Sequence, residues 1–157
     1  MTRSGDDRHE GHEKTEGHDE RQPLTIGVRV PSPLSIEAER VMHQTIGCAM
    51  AVHRALGPGF LESIYRTALC LEFDARHIVY ERERPVLVRY RGVDIPGQRI
   101  DLIVQGVIVV ELKAVEQFHD RHRAQLVSYL RTTGIRGGLL VNFGARILKD
   151  GLKRVVL

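Results

Sequence analysis

Three charged residues interrupt a segment that otherwise reads as a β-hairpin of aliphatic side chains: Asp101, Glu111 and Lys113. Burying a carboxylate or an ammonium among aliphatic side chains is costly unless the charge is paired or bound to a metal ion. Side chains alternate between the two faces of a strand, so Glu111 and Lys113 share a face. Two carboxylates and an amine on one face could bind a divalent cation and act on a phosphodiester, because Mg²⁺ and Mn²⁺ prefer oxygen ligands.

The length of the hairpin loop decides whether Asp101 joins that face. A two-residue loop at Gln105-Gly106 would place Asp101 opposite Val110 and mix charged and aliphatic side chains on both faces. A three-residue loop, 104–106, with Gly106 in the left-handed conformation, separates the two kinds of side chain, and we predict it. The predicted apolar face then holds Ile100, Leu102, Ile108, Val110 and Leu112. The opposite face holds Arg99, Asp101, Ile103, Val107, Val109, Glu111 and Lys113.

Four stretches of the chain resemble motifs of one nuclease superfamily. The spacing of Asp101 from Glu111-Leu112-Lys113 resembles the D…(D/E)XK signature of the PD-(D/E)XK nucleases. Residues 59–65, GFLESIY, are similar to the motif that names the GxxExxY proteins, a small branch of that superfamily. Residues 125–129, QLVSY, resemble the QxxxY motif of RecB-like members, and residues 138–144 resemble the strand that follows it. The four motifs occur in the expected order.

The resemblance implies an α/β fold with a restriction-endonuclease-like αβββαβ core, in which helices flank a central mixed sheet. It also implies a site for Mg²⁺ or Mn²⁺ that acts on nucleic acid, DNA or RNA. Asp101 and Glu111 would bind the ion, and the Leu112 carbonyl and Glu62 would complete its shell. Lys113 would activate the attacking water.

The same resemblance assigns supporting roles to three further side chains. Gln125 would assist at the site by contacting a nucleotide or orienting a ligand, with Tyr129 behind it. Tyr65 would hold Glu62 in place, and its structural interpretation is a core aromatic residue with a hydrogen-bonded hydroxyl. Because family membership alone does not establish turnover, two alternatives stay open. One is a catalytically silent module of the same fold that binds nucleic acid or protein, and the other is a structural protein with an ion-pair cluster.

Each candidate residue also has a structural interpretation. Glu62 stands in the first turn of a predicted helix, where a carboxylate complements the helix dipole, and Arg66 is spaced for an i,i+4 pair with it. Gln125 could cap a backbone group and Tyr129 could be a core residue. His119 and His122 are expected to be solvated. Arg82 and Arg84 of the first strand are either phosphate contacts or, as edge-strand charges, a defence against aggregation, and Arg99 is a further candidate contact to nucleic acid.

Hydrophobic spacing predicts the elements that carry these residues. Helices are predicted at residues 35–56, 60–76 and 117–133, and strands at 78–91, 138–143 and 152–157, besides the hairpin. For the second helix, the predicted apolar stripe consists of Leu61, Ile64, Ala68 and Leu71. Asn142 interrupts an apolar run, so we expect it to be either hydrogen-bonded or functional.

Charge divides the chain unevenly. Residues 1–22 contain four Lys or Arg against seven Asp or Glu, a net charge of −3, whereas residues 23–157 carry +6. A basic domain favours polyanionic partners. We expect residues 1–30 to be a disordered polar tail and linker, in which His9, His12 and His18 are solvated, and residues 31–157 to form the nuclease-like domain.

The remaining features of the sequence concern membrane association, cellular compartment and assembly. The chain contains no apolar run that reaches the length of a membrane span, so no membrane association is expected. Two cysteines, Cys48 and Cys70, lie in predicted helices and are expected to be reduced thiols of a cytoplasmic protein, with a disulfide as the alternative. A homodimer is a possible assembly, because a domain this small often completes a substrate groove by dimerising.

Overall fold

A computed structural model describes residues 32–157, where three α-helices pack on a five-stranded sheet. In chain order the elements are α1 Ile36–Leu56, α2 Glu62–Ala75, β1 Tyr80–Tyr90, β2 Val93–Val104, β3 Ile108–Lys113, α3 Asp120–Thr133, β4 Gly137–Asn142, a short 3-10 helix Leu148–Gly151 and β5 Leu152–Val156. The expectations for residues 1–30, including His9, His12 and His18, lie outside the described residues. None of the helices within 32–157 is long and apolar enough to cross a bilayer.

The sheet is mixed, with strand order β1-β2-β3-β4-β5. β3 and β4 run parallel, and the other three neighbouring pairs are antiparallel. A parallel pair needs a crossover connection, and α3 supplies it between β3 and β4. The predicted α/β fold with a central mixed sheet flanked by helices is therefore confirmed.

Local signals set the ends of the helices. The Ser35 side chain accepts a hydrogen bond of 3.1 Å from the Ala38 amide and caps α1. At the end of α3, Gly134 adopts the left-handed conformation, with φ of 72°, and its amide reaches the Leu130 carbonyl. α2 and α3 begin at Glu62 and Asp120, which is two and three residues later than the sequence predicts.

Two hydrophobic clusters lie on opposite faces of the sheet. The larger one contains the buried side chains of α1 and α2 together with those of Leu102, Val104, Ile108, Val110 and Leu112. The smaller one lies under α3 and joins Leu126, Tyr129 and Leu130 to Ile100, Ile103, Val109 and Leu140. The central strands are thus buried on both faces, as expected for strands covered by helices on each side.

The hairpin loop has the predicted three residues but lies one position later, at 105–107. Leu102 pairs with Val110 and Val104 with Ile108. Moving a three-residue loop by one position shifts each residue's partner on the opposite strand by two residues. Because side chains alternate between the faces with a period of two, most of them stay on the predicted face. Two predicted positions are nevertheless wrong: Val107 packs against the α1/α2 cluster, and Ile100 belongs to the cluster under α3.

Ile100 changes side because the regular alternation of β2 breaks at Asp101. The β1/β2 ladder pairs Arg82 with Leu102 and Arg84 with Ile100 but skips Glu83 and Asp101 between them. Glu83 has a φ of 49°, a left-handed conformation that is uncommon for a non-glycine residue. Irregularities of this kind re-aim side chains next to functional sites.

The predicted apolar stripe of α2 is wrong. Leu61, Ile64 and Leu71 are 75%, 46% and 64% exposed, whereas the buried residues of α2 are Tyr65, Leu69, Cys70 and Phe73. Both sets have helical spacing, so periodicity alone could not choose between them. The stripe with two aromatic rings removes more apolar surface from water and faces the core. As a result Glu62, three residues before Tyr65, lies on the side of α2 that faces the sheet.

Candidate active site

Asp101 holds β2 and β3 together at the point where their backbone pairing ends. Its Oδ2 accepts a hydrogen bond of 2.8 Å from the Leu112 amide. The last backbone pair before it is Leu102 with Val110, so the carboxylate takes over a contact that a regular ladder would make through main-chain groups. This brings the Asp101 carboxylate beside the strand that carries Glu111 and Lys113.

Glu111 is a buried carboxylate with one free oxygen. The side chain is only 3% exposed, and its Oε1 accepts a hydrogen bond of 2.7 Å from the Lys113 ammonium. Its Oε2 is buried and has no hydrogen-bond partner. A buried acceptor without a partner costs free energy, which in a native protein calls for a functional explanation.

Excess negative charge surrounds this pair. Burial, and then the neighbouring charges of Asp101 and Glu62, raise the pKa of Glu111 to about 7, although Lys113 acts in the opposite direction. For Lys113, burial alone would lower the pKa, but the hydrogen bond and charge of Glu111 and the charges of Glu62 and Asp101 outweigh it and raise the pKa. The raised pKa of Lys113 means that the carboxylates around it favour positive charge despite burial.

Gln125 and Tyr129 of α3 extend the site by a chain of hydrogen bonds. The Lys113 ammonium donates to Gln125 Oε1 over 3.4 Å, and Gln125 Nε2 donates to the Tyr129 hydroxyl over 2.8 Å. The Tyr129 hydroxyl in turn donates to the Arg99 carbonyl over 3.0 Å. Gln125 thus contacts a candidate catalytic group, and its side chain bonds side chains, not the backbone group that the structural interpretation predicted. Tyr129 lies in the core, as its structural interpretation predicted, and also fixes the orientation of Gln125.

Arg66 connects Glu62 to the site in a way that the sequence did not indicate. The i,i+4 pair with Glu62 is present at 3.3 Å, as the structural interpretation predicted. The same guanidinium also reaches Glu83 Oε1 at 3.1 Å and lies 3.6 Å from Asp101 Oδ1. Burial and the charge of Asp101 raise the pKa of Glu62. Three carboxylates from α2, β1 and β2 therefore meet at one arginine.

Neither Arg66 nor Glu83 carried a signal that could have assigned it to the site. Arg66 has an obvious partner within its own helix, and Glu83 stands in an alternating run of Glu and Arg that is typical of an exposed edge strand. Their contacts depend on how α2 packs across β1 and β2.

Tyr65 does not contact Glu62 through its hydroxyl. That hydroxyl donates to the Gly57 carbonyl and accepts from the Phe60 amide at 3.1 Å, and the ring stacks on Phe143 with 4.6 Å between centroids. Tyr65 therefore fixes the turn that leads into α2. Any influence on Glu62 passes through the position of that turn.

His122 is buried, and the expectation that it is solvated is wrong. Its Nδ1 accepts from the His119 amide at 3.2 Å, and with His119 it forms a reciprocal cap on the first turn of α3. Burial lowers the pKa of His122, as does the charge of Lys113. His119 is exposed, as expected.

Asn142 clamps the segment that follows Lys113. Its Oδ1 accepts from the amides of Val115 and Gly144, each at 3.0 Å, and its Nδ2 donates to the Val115 carbonyl at 2.8 Å. The Phe143 amide donates to the Lys113 carbonyl at 2.8 Å. Asn142, the polar residue that interrupts an apolar run in the sequence, is thus hydrogen-bonded. Its contacts act as a clamp that fixes the end of β3, where Lys113 lies.

The candidate phosphate contacts are exposed, and two of them are paired with acids. Arg82, Arg84 and Arg99 all lie on the surface. Arg84 is 3.3 Å from Glu81, and Arg82 is 3.9 Å from Glu83. β1 is an edge strand, as predicted. Exposed pairs of this kind contribute little to stability, so these guanidiniums can exchange partners at small cost.

The sequence profile of the PD-(D/E)XK nuclease superfamily matches residues 39–155, which include every residue of the candidate site. The chain belongs to this superfamily. Comparisons with curated proteins and with solved structures gave no match. PD-(D/E)XK nucleases generally use divalent metal ions, so the residues present can be tested against that requirement.

The oxygen atoms of the site are the kind of ligand that a hard cation prefers, but few protein side chains are available to bind one. Within residues 32–157, no group of three His, Cys, Asp or Glu residues is arranged to hold a metal ion, and the Glu62 carboxylate is bound to Arg66. The unpartnered Glu111 Oε2 and the raised pKa of Glu111 nevertheless indicate a place for positive charge. One or two carboxylates, with waters and substrate oxygens, are the usual ligands of Mg²⁺. Asp101 and Glu111 are two carboxylates of this kind, and the proposal below assigns the ion to them.

Proposed function

We propose that this protein hydrolyses phosphodiester bonds of nucleic acid with the help of a divalent metal ion. The observation that carries the proposal is Glu111: a buried carboxylate with one oxygen on Lys113 and the other without a partner, whose pKa is raised by burial and then by the charge of Asp101. A purely structural ion pair would not require a second acid beside a buried carboxylate.

In this proposal Asp101 and Glu111 hold Mg²⁺ or Mn²⁺, with the Leu112 carbonyl and Glu62 as additional ligands. Glu62 would have to leave Arg66 to take part, and Arg66 would keep Glu83 as a partner. The ion, when bound, supplies Lewis-acid polarisation of the scissile phosphate and a lower pKa for a bound water.

Lys113 and Gln125 are the protein side chains that contribute directly to the reaction. The Lys113 ammonium is held between Glu111 and Gln125, so it can orient the attacking water and stabilise the negative charge that develops on the phosphate. Gln125 positions that ammonium and contacts the nucleotide. Tyr129 and Tyr65 support these groups through the Gln125 amide and through the turn before α2.

The substrate is nucleic acid, DNA or RNA, bound in part through Arg82, Arg84 and Arg99. The net charge of +6 over residues 23–157 favours a polyanion. The second candidate is a silent module that binds nucleic acid or protein without cleavage. The ion pairs of Arg66 favour this candidate, because the guanidinium neutralises part of the negative charge of the acidic cluster.

The proposal also includes the family branch, the cellular compartment and the oligomeric state of the protein. Residues 31–157 form the domain, which belongs to the GxxExxY branch, since GFLESIY provides Gly59, Glu62 and Tyr65 in that motif's spacing. The two buried cysteines in separate helices suit a cytoplasmic protein. A homodimer would complete the substrate groove, and light scattering of the purified protein would test it.

The experiment compares the wild type with Lys113→Ala and with Lys149→Ala, a matched control on an exposed lysine. Each protein is titrated with Mn²⁺ by calorimetry and then incubated with single-stranded and duplex DNA and RNA. We expect Mn²⁺ binding by all three proteins and cleavage by the wild type and Lys149→Ala. Lys113→Ala should lose at least about a hundredfold in rate, the size of one electrostatic catalytic contact.

The alternatives give different results. Binding of nucleic acid without cleavage by the wild type would support the silent module. Indifference to Mn²⁺ would leave the charged residues as a structural cluster and overturn the proposal.

A further inference from the structure

A cleft adjoins the candidate active site and has no role in the reaction proposed above. It has a volume of about 340 Å³ and is lined by residues 58–60, 114–116 and Gly144. Ala114 follows Lys113 directly, and Phe60 lies two residues before Glu62, so residues of the cleft are close neighbours in the chain of two candidate site residues. Its volume is within the range of about 300–1,000 Å³ that is typical of small-molecule sites.

One wall of the cleft is an exposed aromatic ring. Phe60 is 49% exposed, although its ring packs edge-on against Tyr65 with 6.1 Å between centroids. Tyr65 is fully buried and stacks on Phe143, and its hydroxyl accepts from the Phe60 amide. The ring at the mouth of the cleft therefore stands on a rigid support, which is the condition under which an aromatic side chain can serve as a stacking platform.

The opposite wall is also rigid. The Asn142 side chain holds both the amide and the carbonyl of Val115. Gly144 allows the chain to approach closely, because a Cβ atom at that position would lie 2.4 Å from the Val115 carbonyl oxygen. The shape of the cleft is thus set before any ligand arrives, which lowers the entropic cost of binding.

The charge of the cleft selects the part of a nucleotide that can enter. Glu116 is the one charged residue among the described residues that line it. A carboxylate repels phosphate but accepts hydrogen bonds from the amino group of a base, as Glu does with cytosine. An aromatic wall and an acidic edge close to the candidate active site fit a nucleobase.

We infer that this cleft binds an unstacked base of the nucleotide next to the scissile phosphate, with Phe60 as the stacking platform. This inference rests on the proposed nuclease function and makes single-stranded nucleic acid the substrate class. A base in a duplex is stacked and paired and cannot enter such a cleft without leaving the helix.

The test measures binding of fluorescein-labelled 12-nucleotide single strands, as DNA and as RNA, by anisotropy in EDTA, and of the corresponding duplexes. The proteins are the wild type, Phe60→Ala, Phe60→Tyr and Ile64→Ala, the last a matched control on an exposed apolar residue of α2 outside the cleft. Phe60→Ala should weaken single-strand binding about tenfold, the order expected for one lost base stack. Phe60→Tyr and Ile64→Ala should bind like the wild type, and duplex affinity should not change.

Equal affinities of Phe60→Ala and the wild type for single strands would overturn the inference, as would equal losses in Phe60→Ala and Ile64→Ala. A thermal melt of Phe60→Ala guards against a loss that merely reflects unfolding. Cleavage by the wild type that depends on Lys113 tests the proposed function separately. If that cleavage occurs while Phe60→Ala binds normally, the nuclease proposal survives and the base cleft does not.

Discussion

At the scale of single residues, Glu111 is the costly element of the site. A carboxylate that is 3% exposed, with one oxygen unpartnered and a pKa raised to about 7, destabilises the folded protein at neutral pH relative to a neutral side chain of the same shape. Natural proteins keep such residues where function requires them, and in the proposed reaction Glu111 would offer its charge to a cation.

We predict that Glu111→Gln stabilises the metal-free protein at pH 8 by about 1 to 3 kcal/mol, from the size of the pKa shift. Because the folded-state pKa lies above the usual 4.5, the cost is complete above pH 7 and is relieved as the pH falls from 7 to 4.5, where Glu111 takes up a proton. Urea denaturation in EDTA at pH 8 and at pH 5 measures the difference, which should shrink at the lower pH.

Glu116→Gln provides the control, since Glu116 is exposed and its replacement should change the free energy of unfolding little at either pH. A Glu111→Gln protein less stable than the wild type at pH 8 would mean that the Lys113 ion pair stabilises the fold more than burial destabilises it.

At the scale of elements, the site depends on contacts between strands and helices that are distant in sequence. Arg66 of α2 reaches β1 and β2, and Asn142 at the end of β4 fixes the segment after β3. Asn142 is 2% exposed and makes three hydrogen bonds, so its removal would leave two main-chain amides and a carbonyl without their partner. The position of Lys113 rests on this clamp.

We predict that Asn142→Ala lowers the free energy of unfolding by about 2 to 4 kcal/mol, because buried polar groups would lose their hydrogen bonds. Thr45→Val is the matched control: Thr45 is also buried, but its hydroxyl bonds only the Val41 carbonyl of its own helix, so the loss should stay under about 1 kcal/mol. Urea denaturation measures both values. Equal effects of the two substitutions would show that Asn142 is no clamp.

At the scale of the whole molecule, the basic charge of residues 23–157 and the exposed arginines near the edge strand govern the approach of a polyanion. Each phosphate that a protein neutralises releases counterions, so the affinity for nucleic acid falls with salt in proportion to the number of such contacts. Arg99 is the most informative position, because its carbonyl is bound to Tyr129 and its side chain is exposed beside the site.

We predict that Arg99→Ala reduces the slope of log affinity against log salt concentration by about 0.7 for single strands, the value for one phosphate contact. Anisotropy titrations between low and moderate salt give the slope. Arg131→Ala, on an exposed arginine in the last turn of α3, should leave it unchanged. An unaltered slope in Arg99→Ala would remove this residue from the nucleic-acid interface.

The sequence by itself determined the elements and the principal charged face. Hydrophobic periodicity located the helices and most strands to within a few residues, although β2 begins at Val93, six residues before the predicted hairpin. The odd length of the hairpin loop separated Leu102, Ile108, Val110 and Leu112 from Ile103 and Val109, as the structure has them. These features follow from local geometry, since alternation and helical spacing depend only on neighbours along the chain.

Only the tertiary structure decided which of two helical stripes of α2 is buried, that Ile100 changes face beside Asp101, and that Arg66 and Asn142 belong to the site. Both stripes were apolar, and both of these polar residues had plausible roles within their own elements. The choice depends on free energies of packing between segments far apart in the chain, which no pattern of adjacent residues contains.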